Sequence, residues 1–205
     1  MTSNAVRPLA LFAALLAALF LSSCTSTEQS QGDGHTDHSH TESAGESAGD
    51  AQAPHNADDV AFAQEMMAHH KQALELVDMA RDRSTDPALL ELAAGIGAAQ
   101  GPEMGQMAEM LRGWGQDPDG AMQHGGHSTM PGMVDDATMA RLRSLSGREF
   151  DTLWLESMIS HHQGAVEMAK AENANGENAD AKALAEHIIE AQEAEIAQMK
   201  QMLEG

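Results

Sequence analysis

The sequence predicts an all-α fold: a four-helix bundle of two pseudo-symmetric helical hairpins, preceded by a signal peptide and a disordered tether. Three observations carry this reading. Apolar residues recur at helical spacing through four long segments. Residues 62–111 align without a gap on residues 154–203, and 15 of the 50 pairs are identical, which marks an internal duplication rather than shared composition. A run of thirteen apolar residues, Leu9 to Leu21, stands near the start and is too short to span a bilayer as a mature helix.

Residues 1–23 read as a lipoprotein signal, with Arg7 before the apolar run and Leu21-Ser22-Ser23-Cys24 after it. That tetrapeptide resembles a bacterial lipobox, in which Cys24 becomes the lipidated first residue. The alternative is cleavage at another small residue, which leaves Cys24 as a free thiol in an oxidising compartment. Residues 24–57 are polar and almost without large apolar side chains, so they cannot repay the entropy of ordering and read as a flexible tether.

The bundle is expected over 58–205, with a first repeat at 58–113, a connector at 114–147 and a second repeat at 148–205. In the first helix Phe62, Met66, His69, His70, Ala73, Val77 and Ala80 share one side. Asp86-Pro87 starts the second, whose stripe is Leu89, Leu92, Ile96, Gln100, Glu103, Met107, Met110 and Leu111, with a kink expected at Pro102. A short helix is expected at 136–145. Ser146 and Glu149 have the spacing of a capping box for the third long helix, which carries Trp154, Met158, His161, His162, Ala165 and Ala169 and ends near Gly176. The fourth starts near Asp180 and carries Leu184, Ile188, Gln192, Glu195, Met199 and Leu203.

A net charge of −21 disfavours nucleic acid or an anionic lipid surface as partner and raises the local concentration of cations. With no tyrosine and two tryptophans, the core must rest on Ala, Leu, Ile and Met. One cysteine permits neither an internal disulfide nor zinc-finger spacing, and there is no Gly-rich phosphate loop.

The duplication repeats polar residues as well as apolar ones. Met66, His69, His70, Gln100 and Glu103 correspond to Met158, His161, His162, Gln192 and Glu195. On the wheel, the first histidine of each pair lies about 60° to one side of the apolar stripe and the second about 40° to the other. Two outcomes follow from burying such groups. Either His, Gln and Glu hydrogen-bond to one another in a structural network, or imidazoles and carboxylates hold a metal with Gln orienting them.

Fifteen methionines are a second signal, and several stand one turn from a candidate ligand: Met66 from His70, Met158 from His162, Met107 from Glu103 and Met199 from Glu195, although a methionine stripe at helical spacing is more often plain core filler. The connector adds Met122, His124, His127, Met130 and Met133 in a segment expected to be flexible and exposed, where methionine has no packing role. Thioether with imidazole suits Cu(I), or Ag(I), over Mg or Ca. The tether adds His35, His38 and His40, a spacing suited to Cu(II), Ni(II) or Zn(II). A di-iron oxidase of the bundle type would need Glu-x-x-His, and no Glu in the chain has His three residues later.

The segments Phe62-Ala63-Gln64-Glu65-Met66-Met67-Ala68-His69-His70-Lys71-Gln72-Ala73 and Phe150 through Ala169, with Met158-Ile159-Ser160-His161-His162 at the centre of the latter, resemble the bacterial family called domain of unknown function 305. Gln100-x-x-Glu103-Met104-x-x-Met107 and Gln192-x-x-Glu195-Ile196-x-x-Met199 fit it too, and the likeness covers roughly 56–205. The resemblance implies a ferritin-like bundle in an exported protein, and members of the CopM type are extracytoplasmic copper-binding proteins linked to copper resistance. By position it implies Met66, His69, His70, Met158, His161, His162 and Met168 as ligands; Leu76 stands where the first repeat would need its counterpart of Met168. The expectation is thus a lipid-anchored, non-catalytic copper buffer or chaperone outside the cytoplasmic membrane, with the structural polar network as the alternative.

Overall fold

The computed structural model describes residues 54–118, 120 and 130–205, all of which belong to one unit, Ser47–Gly205. The signal, Cys24, the tether histidines His35, His38 and His40, and Met122, His124 and His127 of the connector lie outside the described residues. Five helices form among the described residues: α1 Ala57–Arg83, α2 Pro87–Gly113, α3 Asp136–Ser144, α4 Gly147–Asn175 and α5 Ala179–Glu204. None is long and apolar enough to cross a membrane.

Local chemistry sets their ends. Asn56 caps α1 in a reciprocal box with Asp59, a start the sequence pattern did not reveal. Asp86 accepts from the Ala88 N–H with Pro87 opening α2, as the sequence predicts, and α2 then runs unbroken through Pro102. Asn178 caps α5 through the N–H groups of Asp180 and Ala181. The expected Ser146–Glu149 box does not form: Ser146 is the cap by position but its hydroxyl makes no capping bond. Gly147 beside it takes φ +59, a left-handed turn that redirects the chain into α4. The end of the expected tether is also anchored, since Pro54 accepts from Asn178 Nδ2 at 3.0 Å and His55 stacks on Trp114. Leu203, expected inward, is 38% exposed at the last turn of α5.

Helices α1 and α2 form one hairpin and α4 and α5 the other, with α1 packed on α4 and α2 on α5. Asp59 near the start of α1 meets Asn178 just past the end of α4, while Leu76 far along α1 meets Trp154 near the start of α4. The pair is therefore antiparallel. His69 stacks on its own repeat mate His161, ring centroids 3.7 Å apart. A residue that touches its own counterpart sits on the axis relating the two halves, as in any isologous contact.

Two apolar clusters lie on either side of that point. One holds Phe62, Met66, Met107, Ala165, Met168 and Ile188. The other holds their mates Trp154, Met158, Met199, Leu76 and Ile96, with Phe150. Between the two lie buried His69, His70, Gln100, Glu103, His161, His162 and Gln192.

One end of the bundle is locked by a carboxylate. Asp59, fully buried, accepts from the N–H groups of Asn56 at 2.6 Å, Glu177 at 3.1 Å and Asn178 at 2.9 Å. Burial pushes Asp59 up, but these bonds together with one to Glu172 outweigh it and leave its carboxyl below the ordinary range. Burial, then the bond to Asp59 and its charge, push Glu172 up to about 8. Both carboxyls face Gly176, and the raised value makes Glu172 the one that holds a proton between them.

A carboxyl held protonated by folding stabilises the folded state below its unfolded pKa, and that stability is lost as pH rises through the folded value. Wild type should therefore lose stability between roughly pH 5 and pH 8, by up to about 1.4 kcal/mol per pH unit from this group. Glu172→Gln keeps a donor for Asp59 without the ionisation, and urea melts of the variant should lack this fall. A pH slope identical in both proteins would sink the shared proton.

Candidate metal centre

The two histidines of each pair have different surroundings, as their opposite positions on the wheel suggest. His70 Nε2 bonds Glu103 Oε2 at 2.7 Å, and His162 Nε2 bonds Glu195 Oε2 at 2.8 Å, each within its own hairpin. An ionised carboxylate only accepts, so Nε2 is the proton-bearing nitrogen of each pair, and in the neutral tautomer the lone pair is on Nδ1. Neither Nδ1 has a hydrogen-bond partner.

His69 and His161 face the other way, to the α1–α4 seam. His69 Nε2–H donates to the Pro131 carbonyl at 3.1 Å, and its Nδ1 is unpartnered. Neither nitrogen of His161 has a partner. Burial, helped by the neighbouring His70, pushes His69 down to about 3. Burial, with His69 next to it, pushes His161 well below its ordinary value. Both rings are therefore neutral at physiological pH, the form a metal requires.

Residues 130–134 lie across this seam as a strap. Gln72 of α1 grips Val134 at both ends of its amide, Nε2 donating to Val134 O at 2.9 Å and Oε1 accepting from Val134 N at 2.8 Å. Gly132 at φ +75 runs so close to α4 that a Cβ there would lie 2.5 Å from the Ser160 carbonyl. This corrects the expectation of a wholly exposed connector: Met130 and Met133 are half-buried, because the strap that carries them is bonded to α1.

The other expected ligands divide. Met66 and Met158 are fully buried in opposite apolar clusters, flanking the polar layer from its two sides. Met168 packs in Phe62's cluster, two turns or about 10 Å along α4 from His161, where it fills core. The orienting role expected of glutamine falls to glutamate instead. Gln100 Nε2 and Oε1 have no partner, and neither has Gln192 Oε1. Among the described residues, no three His, Asp, Glu or Cys side chains stand together as a cage for a metal ion. The layer is a set of uncommitted lone pairs between thioethers, a donor set for a soft ion of low coordination number rather than for a hard one.

Sequence reasoning missed Gln72, Pro131 and Gly164, as well as exposed His187, whose Nε2 is 3.8 Å from Glu103 Oε1. A signal for two of them was available. Gln72 and Gly164 occupy equivalent positions of the repeat and differ completely, and a glycine in a helix interior needs a packing reason.

Residues 59–203 match the family Domain of unknown function (DUF305), and the chain belongs to it. A DUF305 protein of Streptomyces coelicolor, described as secreted, is 35% identical with a TM-score of 0.64, over 71% of this chain and 91% of that one. A DUF305 fragment from Deinococcus radiodurans is 35% identical with a TM-score of 0.67, over 73% and 97%. CopM in a Cu(II)-bound form is 34% identical with a TM-score of 0.62, over 71% and 95%, and CopM has also been solved in Cu(I)-bound and Ag-bound forms. No match is found among curated proteins.

The two His–Glu pairs differ in burial, the Glu103 side chain being 6% exposed and that of Glu195 20%. Glu103→Ala should cost about 2–3 kcal/mol in metal-free protein, because it strands the His70 N–H in the interior. Glu195→Ala should cost roughly half as much, since water reaches the gap. Urea titration orders the two, and a larger loss at Glu195 would contradict this account.

Proposed function

We propose that this DUF305 protein is an extracytoplasmic copper-binding protein, anchored at the cell membrane by a lipid on Cys24, that buffers or passes on Cu(I) and is not an enzyme. One observation carries the reading: five buried imidazole nitrogens, both of His161 and Nδ1 of His69, His70 and His162, have no hydrogen-bond partner. Each such group costs about 1–3 kcal/mol unless it finds a partner. A metal ion is a partner that neutral imidazole accepts without a proton. The family likeness to CopM, solved with both copper oxidation states and with silver, supports copper over a hard cation.

In this reading His69 and His161 are the principal ligands, with Met66 and Met158 supplying thioethers from the two sides of the layer. His70 and His162 are held by Glu103 and Glu195 in the carboxylate–imidazole arrangement that orients metal-binding histidines and raises their basicity. Glu103 and Glu195 then act through the histidines. Met130 and Met133, with Met122, His124, His127, His35, His38 and His40 of the remaining sequence, serve to capture ions and hand them over, and His-rich segments equally admit Cu(II), Ni(II) or Zn(II).

The two His–Glu bonds favour a second reading, a structural network that sets register and binds nothing. That network accounts for one nitrogen each of His70 and His162. It leaves His161 with two buried unmet nitrogens, which gives the means to separate the readings.

Competition with a Cu(I) chelator should find at least one equivalent of copper in the mature protein, lost when His69, His70, His161 and His162 are replaced by Ala. Unchanged binding in that variant ends the core-site reading. His161→Leu should weaken copper binding while leaving metal-free stability unchanged or raised, because it removes polar atoms that have no partners. A drop of about 2 kcal/mol or more in metal-free His161→Leu would favour the structural network.

A further inference from the structure

We infer that Gln72 is a positioning residue of the metal site: it holds the 130–134 strap over His69 and His161 and thereby sets how fast an ion enters and leaves. The inference rests on the copper reading above and adds its regulation. His69 is fully buried and His161 is 1% exposed, so no ion reaches either until some part of the cover moves. Helices are poor candidates for that part, because every turn is bonded to the next. The strap is irregular backbone, held to α1 at His69 and Gln72. Cavities of about 230 Å³ beside Ser157 and Ser160, and about 220 Å³ beside Ala68 and Gln72, flank it and leave room for displacement.

Of the strap's side-chain bonds, the Gln72 pair is the strongest constraint. A primary amide presents a donor and an acceptor side by side, so it pairs with one backbone residue as a neighbouring strand would. The repeat shows what this grip replaced. Gln72 and Gly164 are mates under the duplication, and the axis places them on either side of the strap. A single chain segment cannot cover a twofold seam symmetrically. One mate has become a hook and the other a clearance, since a Cβ on Gly164 would run into the Pro131 carbonyl. Glycine in a helix interior costs about 1 kcal/mol against alanine, and the passage of the strap is what that cost provides for.

The test uses the full mature protein with Gln72→Ala, Gln72→Glu and Gly164→Ala, which loosen the strap from opposite sides. Transfer of Cu(I) to excess bathocuproine disulfonate should be about tenfold faster in Gln72→Ala and Gly164→Ala, the equivalent of one or two net hydrogen bonds. Copper affinity should stay within about twofold, because a gate speeds loading and unloading alike. Gln72→Glu keeps the acceptor for the Val134 N–H and should fall between wild type and Gln72→Ala. Carbethoxylation of His69 and His161 by diethyl pyrocarbonate, quantified for each residue in metal-free protein, should rise in the same order. Unchanged carbethoxylation in both loosened variants overturns the inference. So does unchanged copper transfer, which would place entry elsewhere, such as the groove between α2 and α5 lined by Met110, Leu184 and His187. An affinity loss as large as the rate gain also overturns it, by reducing Gln72 to structural support. If wild type binds no copper yet carbethoxylation rises, the strap stands as the cover of the pair and the copper reading alone falls.

Discussion

The bundle is organised by the cost of placing a polar layer across the middle of its core. Imidazole, amide and carboxylate groups lie between two apolar clusters, and the clusters themselves are related by the axis through His69 and His161. Each buried polar atom without a partner costs on the order of a kilocalorie or more, against a net stability that is itself only about 5–15 kcal/mol. The His–Glu bonds offset part of this. The remaining unpartnered nitrogens are a standing cost that apolar residues of similar volume would avoid, and the flanking clusters must carry it. Such a cost points to a task, because packing alone gives no reason to keep it.

Duplication explains why the layer is central, and its breaks explain what each face does. Trp154 donates its indole N–H to the Leu76 carbonyl at 2.8 Å, while its mate Phe62 has only packing with Met168's cluster. Asp59 gathers three backbone N–H groups at one end of the α1–α4 pair. Its mate Asp151 has a buried oxygen without a partner. Gln72 and Gly164 divide the work of seating one strap. The symmetric part is thus the donor layer, and the asymmetric parts are an anchored end and a covered seam. On the reading proposed above, chemistry sits on the axis and access to it is controlled off the axis.

Helix count, helix ends within a residue or two and the inward face of each helix were legible, because 3.6-residue periodicity and the repeat report the same faces twice. The divergence of His69 from His70 was legible in outline, since the wheel puts them on opposite flanks of the stripe. Which flank meets what was not. Pro131 lies 62 positions from His69, and no local pattern announces that a backbone carbonyl will return to it. Glu103 replaced Gln100 as the partner of His70 because it stands at the level where the ring nitrogen ends, a matter of a fraction of a turn that spacing alone does not resolve. Ser146 failed as a capping box because Gly147 beside it adopts a left-handed conformation, which a motif of four letters does not encode.

On the proposed copper reading, the stacked rings of His69 and His161 also constrain how an ion would be taken up. Imidazole nitrogens bind in the ring plane, and two rings with centroids 3.7 Å apart and planes 35° apart cannot both aim their lone pairs at one point between them. Binding by the pair therefore requires at least one ring to turn. In a core of close-packed branched residues that rotation would open a void and meet a wall. Here Met66 or Met158 stands one turn before each histidine and Ala73 or Ala165 one turn after it, all four fully buried. Methionine is unbranched, with three rotatable bonds and a polarisable sulfur, so it follows a turning ring and can itself become a ligand. Alanine leaves the space in which the ring turns. On that reading the methionine-rich, tyrosine-free core is the compliant medium that would let a buried histidine pair change orientation without unpacking the bundle.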